Sequence, residues 1–249
     1  MESRGPASAY VSSPRRDSIA GMDEYSDPSF SSHRSVWKRL ILPIALAILA
    51  VGALWLDLPI ARYFAKESWR GDLNTTVRLC EAFGYGLTAA FILLAAAALD
   101  PRGWRVLPRL SLSTYGAGLA ADAVKLFVGR HRPKDVEHAA TSALDTFTTW
   151  ANHQHTHLTQ SFPSAHMATA TGLACGLAFF YPRGWWLFAI LAALGGLQRM
   201  HSHNHYLSDV LAGAAIGALV GILATSRLTT NRWLDRMESF VAKKRVTRE

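Results

Sequence analysis

Apolar residues in this chain fall in long blocks, not in the alternating or helical stripes of a soluble domain. A helix that crosses a bilayer needs roughly 20 mostly apolar residues. Six segments approach that length: about Leu40–Leu56, Phe83–Leu99 with room for an earlier start, Leu110–Val128, from Ser164 to near Tyr181, Trp185–Gln198 and Tyr206–Ala224. Asp100-Pro101-Arg102-Gly103 and Pro182-Arg183-Gly184 punctuate them, as turn-forming residues should. The pattern predicts an all-α integral membrane protein, a bundle of about six transmembrane helices. In the last segment Gly213, Gly217 and Gly221 recur every four residues, a small-residue ridge suited to close helix packing.

The flanks differ from these blocks. Residues 1–35 are rich in Ser, Pro, Arg and Asp and hold no apolar run, so they are expected to stay disordered. The first apolar run starts near Leu40 without a small-residue cleavage site after it, which suits an uncleaved anchor better than a signal peptide. The expected organisation is a cytoplasmic tail over 1–38, a six-helix membrane domain over 39–226 and a basic cytoplasmic tail over 227–249. In that last tail Trp233, Met237, Phe240 and Val241 have helical spacing, suited either to the anionic inner leaflet or to solvent.

Charge orients the bundle. Arg34, Lys38 and Arg39 precede the first segment, Arg102, Arg105 and Arg109 separate the second from the third, and Arg227 to Arg248 follow the sixth. Six spans put all of these on one side, and the positive-inside rule makes that side cytoplasmic. Residues 129–163 and 199–205 then face outward. Arg130, Arg132 and Lys134 run against the rule, as a site for an anionic substrate would require. The net charge of +8 suits nucleic acid in principle, but cationic ends and an anionic substrate account for it equally, and no nucleic-acid partner is expected. Cys80 and Cys175 lie far apart in apolar surroundings and read as free thiols.

Three polar clusters stand at the outward segment ends. In Lys125-Leu-Phe-Val-Gly-Arg-His-Arg132-Pro133 two cations lie two helical turns apart, and Pro133 ends the element. In Pro163-Ser164-Ala165-His166 helix-start residues leave backbone N–H groups free to meet an anion. In Gln198-Arg199 through His205 to Asp209, the four-residue spacing makes His205 and Asp209 neighbours on a helix, so the carboxylate could fix the imidazole tautomer. Each cluster alone has a plain reading: snorkelling cations, an ordinary N-cap, a stabilising His–Asp pair. Their order, and their shared side of the membrane, is far more specific.

Lys-x6-Arg-Pro, Pro-Ser-x-His and Arg-x5-His-x3-Asp in that order resemble the type-2 phosphatidic acid phosphatase family, whose site recurs in vanadium haloperoxidases and glucose-6-phosphatase. The resemblance covers about residues 40–225. It implies a membrane-embedded lipid phosphatase with its active site at the outward membrane face. By this resemblance His205 is the nucleophile that becomes phosphorylated, Asp209 its orienting carboxylate, and His166 the general acid. Lys125, Arg132 and Arg199 clamp the phosphate oxygens, with Ser164 and the Ala165 amide completing the cradle. Such a clamp needs no metal and no other cofactor, because fixed cations and N–H donors stabilise the transferring phosphoryl group. The substrates implied are phosphatidic acid, phosphatidylglycerophosphate, a polyprenyl diphosphate or a lipid A phosphate. Two positions depart from the family pattern: Ala165 replaces a glycine and Gln198 a serine. A positive φ at Ala165 would strain the chain.

Two rival readings stay open at this stage. The same site would also serve a soluble phosphate ester, or an acceptor other than water. His138 and the alternating His153, His155 and His157 suit either a metal-binding, non-enzymatic membrane protein or a pH-responsive loop over the site. Nothing in the sequence bears on oligomeric state.

Overall fold

The computed structural model describes residues 33–66, 69–136, 140–148, 159–226, 234, 236 and 237. Every segment predicted as apolar lies on helix, but the helices differ from the prediction in length and number. Helix α1 (His33–Lys66) extends well past the predicted Leu56 and keeps Pro43 and Pro59 inside it. Proline is tolerated in such helices because neighbouring groups take over the freed carbonyls. A short helix α2 (Gly71–Cys80) then leads through a tight turn at Glu81–Gly84 into α3 (Gly86–Leu99). The α2–α3 pair is bent by 73°. The sequence pattern missed α2 because its polar residues interrupt the apolar block.

Helix α4 (Leu107–Lys125) starts on Pro108, whose missing N–H is harmless in a first turn. After it come β1 (Gly129–Arg130), a single turn α5 (Pro133–Val136) and β2 (Phe147–Thr148). The two strands form an antiparallel ribbon, Gly129 opposite Thr148 and Arg130 opposite Phe147. This small β element departs from the all-α expectation. Pro133 holds the chain before it extended, and the ribbon gives that stretch its backbone partners. Helices α6 (Ala165–Phe180), α7 (Trp185–His201) and α8 (Leu207–Thr225) complete the bundle.

By length and apolarity, Lys38–Lys66 and Leu207–Thr225 are each sufficient to cross a bilayer, and the bent α2–α3 pair is a third if taken as one span. Helix α6 is apolar but shorter. The outer faces of the bundle are apolar too, with Trp55 81% and Leu99 84% exposed. An apolar exterior of that extent suits lipid and not water.

Helix α8 lies against α1, α4 and α6, and α6 lies against α4 and α7. The glycine ridge makes this possible. A Cβ on Gly217 would stand 2.5 Å from the Ala168 carbonyl oxygen, and one on Gly221 2.6 Å from Cys175 Cβ. Gly213 similarly abuts the Ser164 carbonyl. Ridge packing therefore fixes α8 against the first turns of α6, where the second polar cluster begins. Leu110, Leu173, Ala170 and Val210 fill the core between these helices. Cys80 and Cys175 are unpaired and half-buried.

Candidate active site

Helix α7 ends in a tight turn in which the amides of Asn204 and His205 both donate to the Arg199 carbonyl at 3.2 Å. His203 takes a φ of 54° there, an uncommon left-handed conformation for a residue with a side chain. The turn delivers His205 to the interior, 4% exposed. Its Nδ1 stands 2.8 Å from the Ser161 carbonyl oxygen. A carbonyl can only accept, so Nδ1 carries the proton and Nε2 keeps its lone pair. Burial pulls the imidazole below its ordinary pKa, against the opposing pull of Asp209, so the neutral form dominates near pH 7.

Asp209 is fully buried at the start of α8. One carboxylate oxygen accepts from the Ser161 hydroxyl at 2.6 Å and from the Tyr206 amide at 2.9 Å. The second bond links the carboxylate to the residue before the helix, in the manner of a capping box. The carboxylate lies 3.8 Å from His205 Nδ1, outside hydrogen-bond distance. Asp209 therefore reaches the ring through its charge and through Ser161. The direct hydrogen-bond partner of the ring is a backbone carbonyl and not the carboxylate, a change from the sequence expectation.

His166 sits in the first turn of α6. The Ser164 hydroxyl oxygen caps that helix by accepting from the Met167 amide at 3.3 Å, which leaves its proton free to donate outward. The Ser164 amide donates to the Asp209 carbonyl at 3.0 Å, tying the second cluster to the third. One nitrogen of the His166 ring is engaged by the Glu81 backbone carbonyl, while Nε2 is buried without a partner among the described residues. Gly84 makes room for this ring, since a Cβ there would stand 2.5 Å from Nε2. The bend between α2 and α3 is thus the wall behind His166.

The predicted cations gather at this end. Arg132 donates to the Asn204 side-chain oxygen at 3.1 Å, joining the first cluster to the third. Arg199 forms an ion pair with Glu81, and Lys125 one with Asp122 at 2.9 Å. Arg199 lies within electrostatic reach of Arg132, His166 and His205, and Lys125 within reach of His205. Burial, with the repulsion of Arg199, pulls the Arg132 guanidinium below its ordinary pKa. Arg132 Nε, Arg199 Nε and His166 Nε2 are buried and find no hydrogen-bond partner among the described residues. Buried polar atoms are rarely left so. Three of them from three separate stretches describe a place where an anion with several oxygens would bind.

The PAP2 superfamily profile matches residues 107–233, just over half of the chain. The chain belongs to the PAP2 superfamily. Among curated proteins, this PAP2 chain is 33% identical over 107 residues to the lipid A 1-phosphatase of Rhizobium etli, covering 43% of the chain and 44% of that protein. It is 42% identical over 69 residues to the lipid A 1-phosphatase of Porphyromonas gingivalis, covering 25% of the chain and 15% of that protein. The alignments thus span less than half of the length of these relatives. Among solved structures, LpxE of Aquifex aeolicus superposes with a TM-score of 0.54 at 20% identity, over 68% of this chain and 94% of that one. That likeness concerns the fold.

All eight residues expected in the PAP2 site lie at one end of the bundle: Lys125 closing α4, Arg132 after β1, Ser164, Ala165 and His166 opening α6, Arg199 near the end of α7, and His205 and Asp209 around the start of α8. Among the described residues, positive φ at a non-glycine occurs only at His203, so Ala165 sits unstrained where the family carries glycine. Sequence reasoning missed Asp57, Ser161, Glu81 and Gly84, and read Arg130 only as an outward cation suited to an anionic substrate, not as the buried partner of Asp57 and Asp209. Asp57 left a signal, a lone carboxylate close to a long apolar run. His138, His153, His155 and His157 lie outside the described residues.

Proposed function

We propose that this PAP2 protein removes phosphate from a membrane lipid through a phosphohistidine on His205. In the first step His205 Nε2 attacks phosphorus, the bond from phosphorus to the lipid oxygen breaks, and His166 protonates that oxygen. In the second step water attacks the phosphohistidine with His166 as base, free phosphate leaves, and Nε2 recovers its lone pair. His166 acts as an acid only when protonated, and a docked phosphate anion favours that form. Lys125, Arg132 and Arg199 offset the charge on the phosphoryl oxygens, with the Ser164 hydroxyl and the Ala165 amide as further donors. These cations fill the part that metal ions play in other phosphatases, so the reaction is read as independent of metal and cofactor.

The observation that carries this reading is the convergence of unpartnered Arg132 Nε, His166 Nε2 and Arg199 Nε on the end of the bundle that holds a neutral, buried His205. The lipid A 1-phosphatase relatives favour the 1-phosphate of lipid A among the candidate substrates; phosphatidic acid, phosphatidylglycerophosphate and a polyprenyl diphosphate are the comparators. Six spans with both termini cytoplasmic and the site facing outward are supported by Arg102, Arg105 and Arg109 lying at the end opposite His205.

The test is free phosphate released by purified protein from a panel of lipid mono- and diphosphates and soluble esters, with and without chelator. The expected result is preference for a lipid phosphate and full activity under chelation. His205→Ala and His166→Ala should each lower turnover by about 10⁴-fold or more while the protein still inserts. Full activity in either variant would overturn the roles assigned, and preference for a soluble ester would overturn the lipid substrate.

A further inference from the structure

Arg130 is the largest fully buried side chain among the described residues. Its guanidinium donates to Thr146 Oγ1 at 2.9 Å, Ser208 Oγ at 2.7 Å, Asp57 Oδ2 at 2.6 Å and Asp209 Oδ1. The Phe147 and Tyr206 rings lie 4.5 and 4.2 Å from it. The Arg130 carbonyl in turn accepts from the Ser161 amide at 3.0 Å, and Ser161 holds the His205 ring. One residue therefore joins α1, the β-ribbon, α8 and the segment that fixes the nucleophile.

Asp57 is the second anion on this guanidinium and is completely buried. It also accepts from the Ser208 amide at 2.9 Å and from the Ser208 hydroxyl. Burial opposes ionisation of this carboxyl, and the Arg130 guanidinium and the Ser208 hydroxyl and amide, all donating to it, favour the ionised form. Two carboxylates against one guanidinium leave one net negative charge in a region closed to water. Had Asp209 alone faced Arg130, the two would have cancelled.

We propose that Asp57 and Arg130 are positioning residues for His205, Arg130 by anchoring Asp209 and Ser161, and Asp57 by sharing Arg130 so that a net negative charge remains beside the ring. The inference rests on the phosphohistidine reading. When Nε2 attacks phosphorus the imidazole becomes cationic, and that charge needs a counterion. The other groups facing the ring do not provide one: Lys125 of α4 and Arg199 of α7 are cations, as is Arg132 beside Arg199, and His166 of α6 is a second imidazole. The trio supplies the opposing sign on the side of Nδ1.

The test compares pH profiles of kcat/KM for wild type and Asp57→Asn, on whichever lipid phosphate the wild type hydrolyses. Asp57→Asn should move the acidic limb down by about 0.5 to 1 unit, because the ring loses a stabiliser of its charged form. Its kcat should fall by about ten- to a hundredfold with KM little changed. Ser208→Ala, which removes hydrogen bonds without changing charge, should leave the limb in place. A folded Asp57→Asn enzyme with the wild-type limb overturns the proposal. If that variant does not fold, Arg130→Lys carries the test: it keeps the charge but loses the forked contacts, so the limb should stay and kcat should fall by more than about tenfold. An Arg130→Lys enzyme with wild-type kcat overturns the proposal as well. A wild type that releases no phosphate from any substrate sinks the phosphatase reading instead, a distinct result.

Discussion

Each end of the helical bundle buries an aspartate against an arginine. At the end between α3 and α4, the Asp100 carboxylate takes the Arg102 amide at 2.7 Å and its guanidinium nitrogens at 2.9 and 2.8 Å. Arg102 also donates to the Phe180 carbonyl at 3.2 Å and lies 4.8 Å from the Phe180 ring. The partners are two residues apart, and the arginine side chain is 41% exposed. At the opposite end Arg130 is wholly buried and reaches partners 16 to 79 positions away. At the same end Arg132, Arg199 and His166 carry buried polar atoms that find no hydrogen-bond partner among the described residues. The first pair closes a turn. The second frames the proposed site, whose unsatisfied groups are affordable only where Arg130 and its carboxylates fix the structure around them.

That contrast can be broken by mutation. The largest effect, beyond loss of either histidine proposed as catalytic, is expected for Arg199→Ala: kcat/KM should fall by about 10²- to 10³-fold with little change in unfolding temperature. A variant that unfolds early but keeps its activity per folded molecule would move Arg199 to the structural side of the comparison. Next comes Gly84→Ala, whose new methyl must displace the His166 ring. Its kcat should drop by about ten- to a hundredfold, checked by steady-state kinetics alongside thermal unfolding.

A smaller effect concerns pH. Because burial holds His205 below its ordinary pKa, its neutral imidazole persists below pH 6.5. The acidic limb of kcat/KM for the wild type should therefore lie below that value; a limb above it would contradict the burial seen here. Smallest for activity is Asp100→Asn. Hydrogen bonding from Arg102 holds the Asp100 carboxyl down at about 2, below the ordinary 3.8. A carboxylate depressed on folding contributes its full stability above the ordinary value and loses it as pH falls through the depressed one. The variant should thus lose about 1–2 kcal/mol near pH 7, a figure reduced for the exposure of Arg102, and the difference from wild type should vanish as pH falls toward 2. Turnover per folded molecule should be unchanged.

Much of this was readable in the chain. Long apolar blocks gave the helices α1, α3, α4, α6, α7 and α8, because hydrophobic length is a strong and local signal. Their ends were less readable: α1 runs ten residues beyond Leu56, since Asp57 and Arg62 look like a boundary in sequence yet are bound by partners in the fold, Arg62 to the Ala140 carbonyl at 2.9 Å. The glycine ridge was legible as packing because its four-residue period is that of one helix face. The three clusters were legible through their spacing, and they meet at one end. The wiring between them was not. Arg130 looked like an exception to a charge rule because its partners, Asp57 and Asp209, are 73 and 79 residues distant. Ser161 holds His205 through a backbone oxygen, which every residue owns and no side-chain pattern reveals.

On the proposed mechanism that backbone oxygen also decides the regiochemistry of the intermediate. With Nδ1 directed at the Ser161 carbonyl, only Nε2 is free to form a bond to phosphorus. Acid-quenched enzyme trapped in mid-turnover should yield a single phosphohistidine isomer, the one linked through Nε2, whatever lipid delivered the phosphate.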